Sequence, residues 1–179
     1  MVKTNLDNGM NVWRTPEKLA LVTGVDNVGK PHIITVGWIM RVSFSPPIFA
    51  VAINNSRYLH QCINETNEFN IAIPGAPLAE AVLGCGERNP QREDRFAKYG
   101  LKTGKGEYVK SPIITNAEAN FECMVIGSIP AGDHTVFLGK VMETWVSEKP
   151  DQNLMIVGDQ AGYQVLMEKS PYKLGIIKD

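Results

Sequence analysis

Apolar and polar positions change period several times along this chain, and each change marks an element. Lys18–Val25 (KLALVTGV) is dense in aliphatic residues and reads as a first strand, with Asp26–Gly29 as the turn out of it. The stretch from Pro31 to Tyr58 is the one around which the rest of the chain is organised. Within it, Ile33–Met40 reads as a strand, Arg41, Ser43 and Ser45 lead to a Pro46–Pro47 break, and Ile48–Ile53 is an unbroken apolar run. That run has the length and branching of a strand buried on both faces. Short connections predict an antiparallel meander, because parallel neighbours need a crossover of a dozen residues or more. From Ser56 to Thr66 the period lengthens. Leu59, Cys62 and Ile63 share one helical face, His60, Gln61 and Asn64 lie on the other, and Asn55 or Ser56 can cap the helix.

Phe69–Ile73 returns to a strand and stops at Pro74–Gly75. Leu78–Leu83, closed by Gly84, and Glu93–Tyr99, ended by Gly100, are short helix candidates on either side of a polar loop, Glu87–Gln91. Leu101–Pro112, with its glycines and lysines, predicts an exposed loop or a weak hairpin. Ala119–Ile129 and Thr135–Val146 are two long strands around a Pro130–Asp133 turn; the first sets Phe121, Cys123 and Val125 on one face. Gly139 marks a bulge or a close approach. Met155–Val157 is too short to assign, and Tyr172–Ile177 supplies a closing strand. Many short strands with hairpin connections predict a mainly β domain over residues 1–179, a closed or partly open antiparallel barrel with a few short helices.

Composition narrows the function classes. At 179 residues, with 44% hydrophobic and 21% charged residues and a net charge of -1, the chain has no basic footprint for nucleic acid or an acidic membrane surface. No apolar run approaches the ~20 residues of a membrane span, and the N-terminus lacks the apolar core of a secretion signal. Three cysteines at wide spacings give no disulfide framework, so a reducing cytoplasm is the expectation. Cys62 and Cys123 fall on core faces, while Cys85, between two glycines, is the thiol most open to reaction. Neither CxxC nor HExxH occurs, and no metal site is expected.

The corner Asn54–Asn55–Ser56 with Arg57 gathers amides, hydroxyl and guanidinium at a helix N-terminus, as a phosphate requires. Read structurally, the same residues are a capped helix following a buried strand. A helix dipole contributes about 0.3–1 kcal/mol to a nearby anion, whereas an aromatic ligand gains ~25 cal/mol per Å² buried. The phosphate would therefore orient a ligand whose flat ring supplies most of the affinity. Gly37 beside Trp38 lets a planar group approach the backbone. His134, at a strand mouth, is either an exposed turn residue or a group that contacts or protonates a redox ligand. His32 and His60 read as solvent-facing. Gly100–Gly106 lacks the P-loop spacing, and no G-x-G-x-x-G follows a strand.

In order, the chain carries Thr35–Val36–Gly37–Trp38 with Ser43 and Pro46–Pro47, Phe69–Asn70–Ile71–Ala72–Ile73–Pro74, Cys85–Gly86, and Arg95–Phe96 ahead of Gly100–Leu101. Pro112–Ile113, Phe121–Glu122–Cys123, Gly132–Asp133–His134 with Gly139 and Val141, and Tyr172 with Gly175 come after them. In these residues, over about Pro16 to Gly175, it resembles the flavin reductase-like, FMN-binding split-barrel family, and within it the flavoredoxin-type members. The resemblance implies a six-stranded Greek-key barrel, usually a homodimer with FMN near the subunit interface. It implies that the ring is held by the segment including Thr35, Val36, Gly37, Trp38 and Met40. The phosphate would go to the corner of Asn54, Ser56, Arg57 and Tyr58, and His134 would be the catalytic group near flavin and nicotinamide. Many relatives carry Ser–Gly after the Cys–Gly pair and Lys before Phe; here Asn89–Pro90 and Arg95 stand there, and Arg95 can meet a phosphate more rigidly than lysine. The implied function is an oxidoreductase passing electrons from NADH or NADPH through FMN, or alternatively FAD, to an acceptor. The alternatives are an electron carrier with a redox partner protein and no nicotinamide site, and a barrel that stores another planar ligand.

Overall fold

The computed structural model describes residues 2–3, 5–6, 10, 15–88, 93–158 and 161–178; the Asn89–Pro90 departure lies outside them. The strands in chain order are β1 (Glu17–Lys18), β2 (Ala20–Val25), β3 (Pro31–Val36), β4 (Ile39–Phe44), β5 (Pro47–Asn54), β6 (Glu68–Ile73), β7 (Thr103–Gly104) and β8 (Ile113–Ile114). Then come β9 (Ala119–Ala131), β10 (His134–Val146), β11 (Met155–Ile156), β12 (Tyr163–Lys169) and β13 (Tyr172–Ile177). Three α-helices, α1 (Tyr58–Thr66), α2 (Ala79–Gly86) and α3 (Arg95–Lys98), stand among the described residues.

A seven-stranded sheet in the order β3-β2-β6-β9-β10-β5-β4 is antiparallel throughout, and a four-stranded sheet, β1-β11-β13-β12, stands beside it. The expected strand Ile33–Met40 is broken at Gly37–Trp38, and its halves become β3 and β4, the two outer strands of that order. This break fixes the architecture. Three Cα steps of about 3.8 Å let Val36 and Ile39 lie at most about 11 Å apart. Seven strands laid flat at ~4.8 Å spacing would put the outer pair about 29 Å apart. The sheet is therefore rolled until its edges meet, giving a Greek-key split barrel of seven strands rather than the expected six. The bond from Ala52 N–H to the Trp38 carbonyl (2.9 Å) carries the β4–β5 pairing one residue into the break.

Burial follows from the roll. Every residue of β2 is buried, because alternate side chains enter different cores. Ala20 and Val22 join Val51, Ile53, Leu59, Ile63, Phe69 and Phe137 inside the barrel. Leu19 and Leu21 face Val82, Ile114, Leu154, Ile156 and Leu174, between the barrel, α2 and the second sheet. Leu59, Cys62 and Ile63 do form the buried face of α1, but its N-cap is Arg57 and no side chain caps it. Asn54 Oδ1 instead accepts from Ser56 N–H (2.9 Å) and Ser56 Oγ (2.6 Å). Ile48–Ile53 of β5 is buried or half-buried throughout, and the successive Ala50 and Val51 are both buried, as expected of a strand covered on both faces.

Other expectations are corrected in detail. α2 runs past Gly84 to Gly86. The β9–β10 turn shrinks to Gly132–Asp133, where Gly132 takes φ +65°. Gly139 does sit at a bulge, and the close approach is internal: a Cβ there would lie 2.4 Å from the Phe69 ring. Leu101–Pro112 pairs only at its ends, and its middle is held by buried carboxylates. Glu122 accepts from the backbone N–H of Glu107 (3.0 Å), Tyr108 (2.7 Å) and Val109 (2.9 Å), and from Trp145 Nε1 (2.7 Å). Glu68 accepts from Lys110 N–H (2.7 Å) and Ser111 N–H (2.9 Å).

Candidate functional site

A cavity of about 500 Å³ opens at the seam of the barrel, within the ~300–1,000 Å³ usual for small-molecule sites. Ile34, Val36, Ala52 and Leu83 give it apolar walls, Ser56, Arg57, Arg88 and Lys169 border it with polar and cationic groups, and the carboxylates of Glu17 and Glu87 lie among them. Of the residues expected from sequence, Thr35, Val36, Gly37, Trp38, Asn54, Ser56, Arg57 and His134 line this space together. They come from three separate places in the chain, and the rolled sheet makes them neighbours: His134 is the register partner of Asn54. Tyr58 and Arg95 line an adjoining cavity of about 860 Å³, which shares Ile34, Ser56, Arg57 and Arg88 with the first. Met40 borders neither; past the Gly37–Trp38 break it points to solvent, 62% exposed.

The rim beside Asn54 and Asn55 is built from the β9–β10 hairpin. His134 Nδ1 lies 2.7 Å from Asp133 Oδ1, and the imidazole packs against Trp38 with centroids 4.5 Å apart and ring planes tilted by 40°. A carboxylate only accepts, so Nδ1 carries the hydrogen and Nε2 keeps its lone pair in the neutral ring. The bond from His134 holds the Asp133 carboxyl below its ordinary pKa. Its second oxygen accepts from Asn54 Nδ2 at 3.3 Å.

The arginines are committed to the backbone. Arg57 donates to the carbonyls of Glu87 (2.6 Å) and Gly86 (2.5 Å). Arg95, buried, donates to Cys85 (2.8 Å), Glu87 (2.6 Å) and Ile33 (3.4 Å). Two guanidiniums thus close the C-terminal end of α2, where carbonyls lack helical partners and the dipole is negative. Burial, with Arg95 and Arg88 nearby, pushes the Arg57 pKa below its ordinary value. Thr35 is also engaged, donating its hydroxyl to the Val82 carbonyl at 2.5 Å.

Arg88, Lys169 and Ser170 also line the cavity and escaped the reading of the sequence; Tyr172, which carried the resemblance without being placed in the site, lines it too. Arg88 lay in what read as a polar loop. Lys169 ends β12, a mostly exposed strand that the reading of the sequence left unassigned, and pairs with Glu87. The cysteine expectation is corrected: Cys85 is fully buried and burial pushes its thiol up to about 11, beyond reach as a nucleophile at neutral pH. Neither remaining histidine is free in solvent. His32 Nε2 meets Asp26 Oδ2 (3.1 Å), and His60 Nε2 meets Thr135 Oγ1 (2.9 Å). No cluster of three or more His, Cys, Asp or Glu among the described residues is placed to hold a metal. No helix among them is long and apolar enough to cross a membrane.

A split barrel with an apolar slot at its seam is the fold class of the flavin reductases. The chain belongs to the flavin reductase-like family, whose model, Flavin reductase like domain, matches residues 12–164. It is 36% identical over 138 residues to an uncharacterized protein of Archaeoglobus fulgidus, covering 74% of this chain and 78% of that one. It is 28% identical over 125 residues to the NADH:riboflavin 5'-phosphate oxidoreductase of Streptomyces pristinaespiralis, covering 70% and 68%. Among solved structures, flavoredoxin of Desulfovibrio vulgaris (Miyazaki F) superposes with a TM-score of 0.77 at 26% identity, over 94% of this chain and 95% of that one.

Proposed function

We propose that this chain is an FMN-binding NAD(P)H:flavin oxidoreductase that passes electrons through the bound flavin to an acceptor. One observation carries the reading: the seam cavity joins apolar walls and a cationic border to His134, packed against Trp38 at the rim. A flat ring and an attached phosphate fit that donor set. Ile34, Val36 and Ala52 bury the ring and exclude water, and the Glu17 carboxylate, 2.8 Å from where a Cβ would stand, fills the space beside Gly37 that the sequence left for a planar group. Ser56, Arg57 and Arg88 orient the phosphate, and Tyr58 and Arg95 border its outer side. For Arg57 this means exchanging carbonyl partners for phosphate oxygens, a stronger charge-assisted contact. His134, with Nδ1 tied to Asp133, offers Nε2 at the nicotinamide face. Held by these residues, the flavin would supply the redox chemistry that links a nicotinamide donor to an acceptor.

FMN is the preferred flavin in this reading and FAD the alternative, with NADH or NADPH as donor. The protein is further proposed to be a single cytoplasmic domain that works as a homodimer. Light scattering after size-exclusion chromatography checks the last point, and a monomer overturns it. The second reading is a flavoredoxin-like electron carrier that binds FMN, lacks a nicotinamide site and relies on a redox partner protein. The likeness to flavoredoxin over 94% of the chain favours keeping it.

An anaerobic absorption spectrum separates the readings. A bound flavin that bleaches on adding NADH or NADPH supports the reductase. A flavin that stays oxidised until dithionite is added supports the carrier. Protein that takes up no flavin after incubation with FMN overturns both, in favour of a barrel for some other planar ligand.

A further inference from the structure

The hairpin tip that bears His134 is fixed from the side of α1 through Asn55. The Asn55 backbone N–H donates to the Asp133 carbonyl (2.9 Å), its Nδ2 to the Gly132 carbonyl (3.4 Å), and its Oδ1 accepts from Thr135 Oγ1 (2.9 Å). Because Nδ2 faces a carbonyl, the amide has one orientation, with Oδ1 turned to Thr135. The single hydroxyl hydrogen of Thr135 is therefore committed to Asn55. The other contact of that oxygen, 2.9 Å to His60 Nε2, then requires the ring to donate. His60 is thus the Nε2–H tautomer. Its Nδ1 keeps a lone pair, and the Asn64 Nδ2 donor lies 3.2 Å from Nδ1 and 3.4 Å from Nε2. Burial lowers the His60 pKa and favours this neutral form, and the ring packs on Phe137 with centroids 5.5 Å apart. Donors run in one direction, from His60 to Thr135 to Asn55, and end on the Gly132–Asp133 turn.

We propose that His60, acting through Thr135 and Asn55, is a positioning residue for His134. It holds the turn so that the His134 imidazole stays on Trp38, with Nδ1 on Asp133 and Nε2 left for the ligand. The role assigned to His134 rests on the redox reading above; the geometry behind it does not.

The chain contains three histidines, so long-range proton–nitrogen NMR resolves each ring. The wild type is expected to show His60 as Nε2–H and His134 as Nδ1–H. His60→Leu removes the donor, whereas His60→Gln replaces Nε2–H with an amide N–H. In His60→Leu the His134 signals move toward a tautomer mixture and kcat for NAD(P)H oxidation falls about fivefold, the scale of one neutral hydrogen bond. The Kd for FMN stays within about twofold, because the hydrogen-bond chain touches no group that grips the phosphate. His60→Gln retains the wild-type tautomer and rate. An unchanged His134 spectrum and rate in His60→Leu overturns the proposal, as does a glutamine variant that behaves like leucine. Should His60→Leu fail to fold, Thr135→Val keeps the side-chain shape, removes both hydrogen bonds and is read the same way. The spectra need neither flavin nor nicotinamide. A wild type that never oxidises NAD(P)H therefore removes the reductase reading, while the tautomers still decide the positioning.

Discussion

Glu122→Gln is the substitution whose cost the structure defines most closely. Glu122 is fully buried on β9, and its carboxylate is answered by neutral N–H donors. Oε1 accepts from Glu107 N–H and Trp145 Nε1, and Oε2 from Tyr108 N–H and Val109 N–H. Burial pushes its pKa up, but the converging donors outweigh burial and hold the carboxyl below its ordinary value. Glutamine keeps one oxygen and puts an NH₂ where the other was. Whichever way it turns, two N–H donors face another donor. At about 1.5–3 kcal/mol for each bond to a charged group, losing two removes roughly 3–6 kcal/mol. At ~2–4 °C per kcal/mol for a chain of this size, Tm falls by about 6–24 °C. Urea and thermal unfolding followed by far-UV circular dichroism measure it. A loss below about 1 kcal/mol would refute the reasoning, because the loop would then be held by something other than this carboxylate. The linkage has a definite sign. A folded-state pKa below the unfolded one means stability is fully present above the unfolded pKa of Glu and is lost as pH falls through the folded value. Wild-type stability is thus expected to drop below about pH 4, and the Glu122→Gln variant to lose less over the same range.

Three further outcomes are expected. Arg57→Ala weakens FMN binding severalfold or more, read by flavin fluorescence titration; unchanged affinity removes Arg57 from the phosphate site. Gly139→Ala drives a methyl into the Phe69 ring and the Cys123 Cβ, 2.4 and 2.9 Å away, and should cost about 1–3 kcal/mol in urea unfolding. A neutral effect there would mean that the bulge relaxes freely. All three cysteines are buried, with Cys85 and Cys123 pushed up to about 11 and about 12, so a disulfide reagent at neutral pH should label them only as fast as the chain unfolds. Rapid labelling of the native protein would contradict that burial.

What the sequence determined by itself was the set of elements and their buried faces. The spacing of Leu59, Cys62 and Ile63 marked the inner face of α1, and the alternation of Phe121, Cys123 and Val125 marked that of β9. Local periodicity records which side of an element meets apolar neighbours, so these were legible. The corner at Asn54–Arg57 and the His134 turn were also legible, since each is a short run of polar groups interrupting apolar strands. Tertiary structure alone decided which of them meet. Gly37–Trp38 looked like the inside of a strand, yet the chain breaks there because β3 and β4 must sit on opposite edges of a sheet that closes on itself. Arg57 and Arg95 carried the chemistry of phosphate binding, but their guanidiniums close the end of α2, a helix terminus that exists only after packing. Glu122 and His60 read as ordinary polar positions. Their partners come from residues 107–109 and 145 and from Thr135, and hydrogen bonds between distant segments leave no periodic trace in a chain. Composition and period fix what each segment can bury; the rolled sheet fixes which side chains face each other across the cavity.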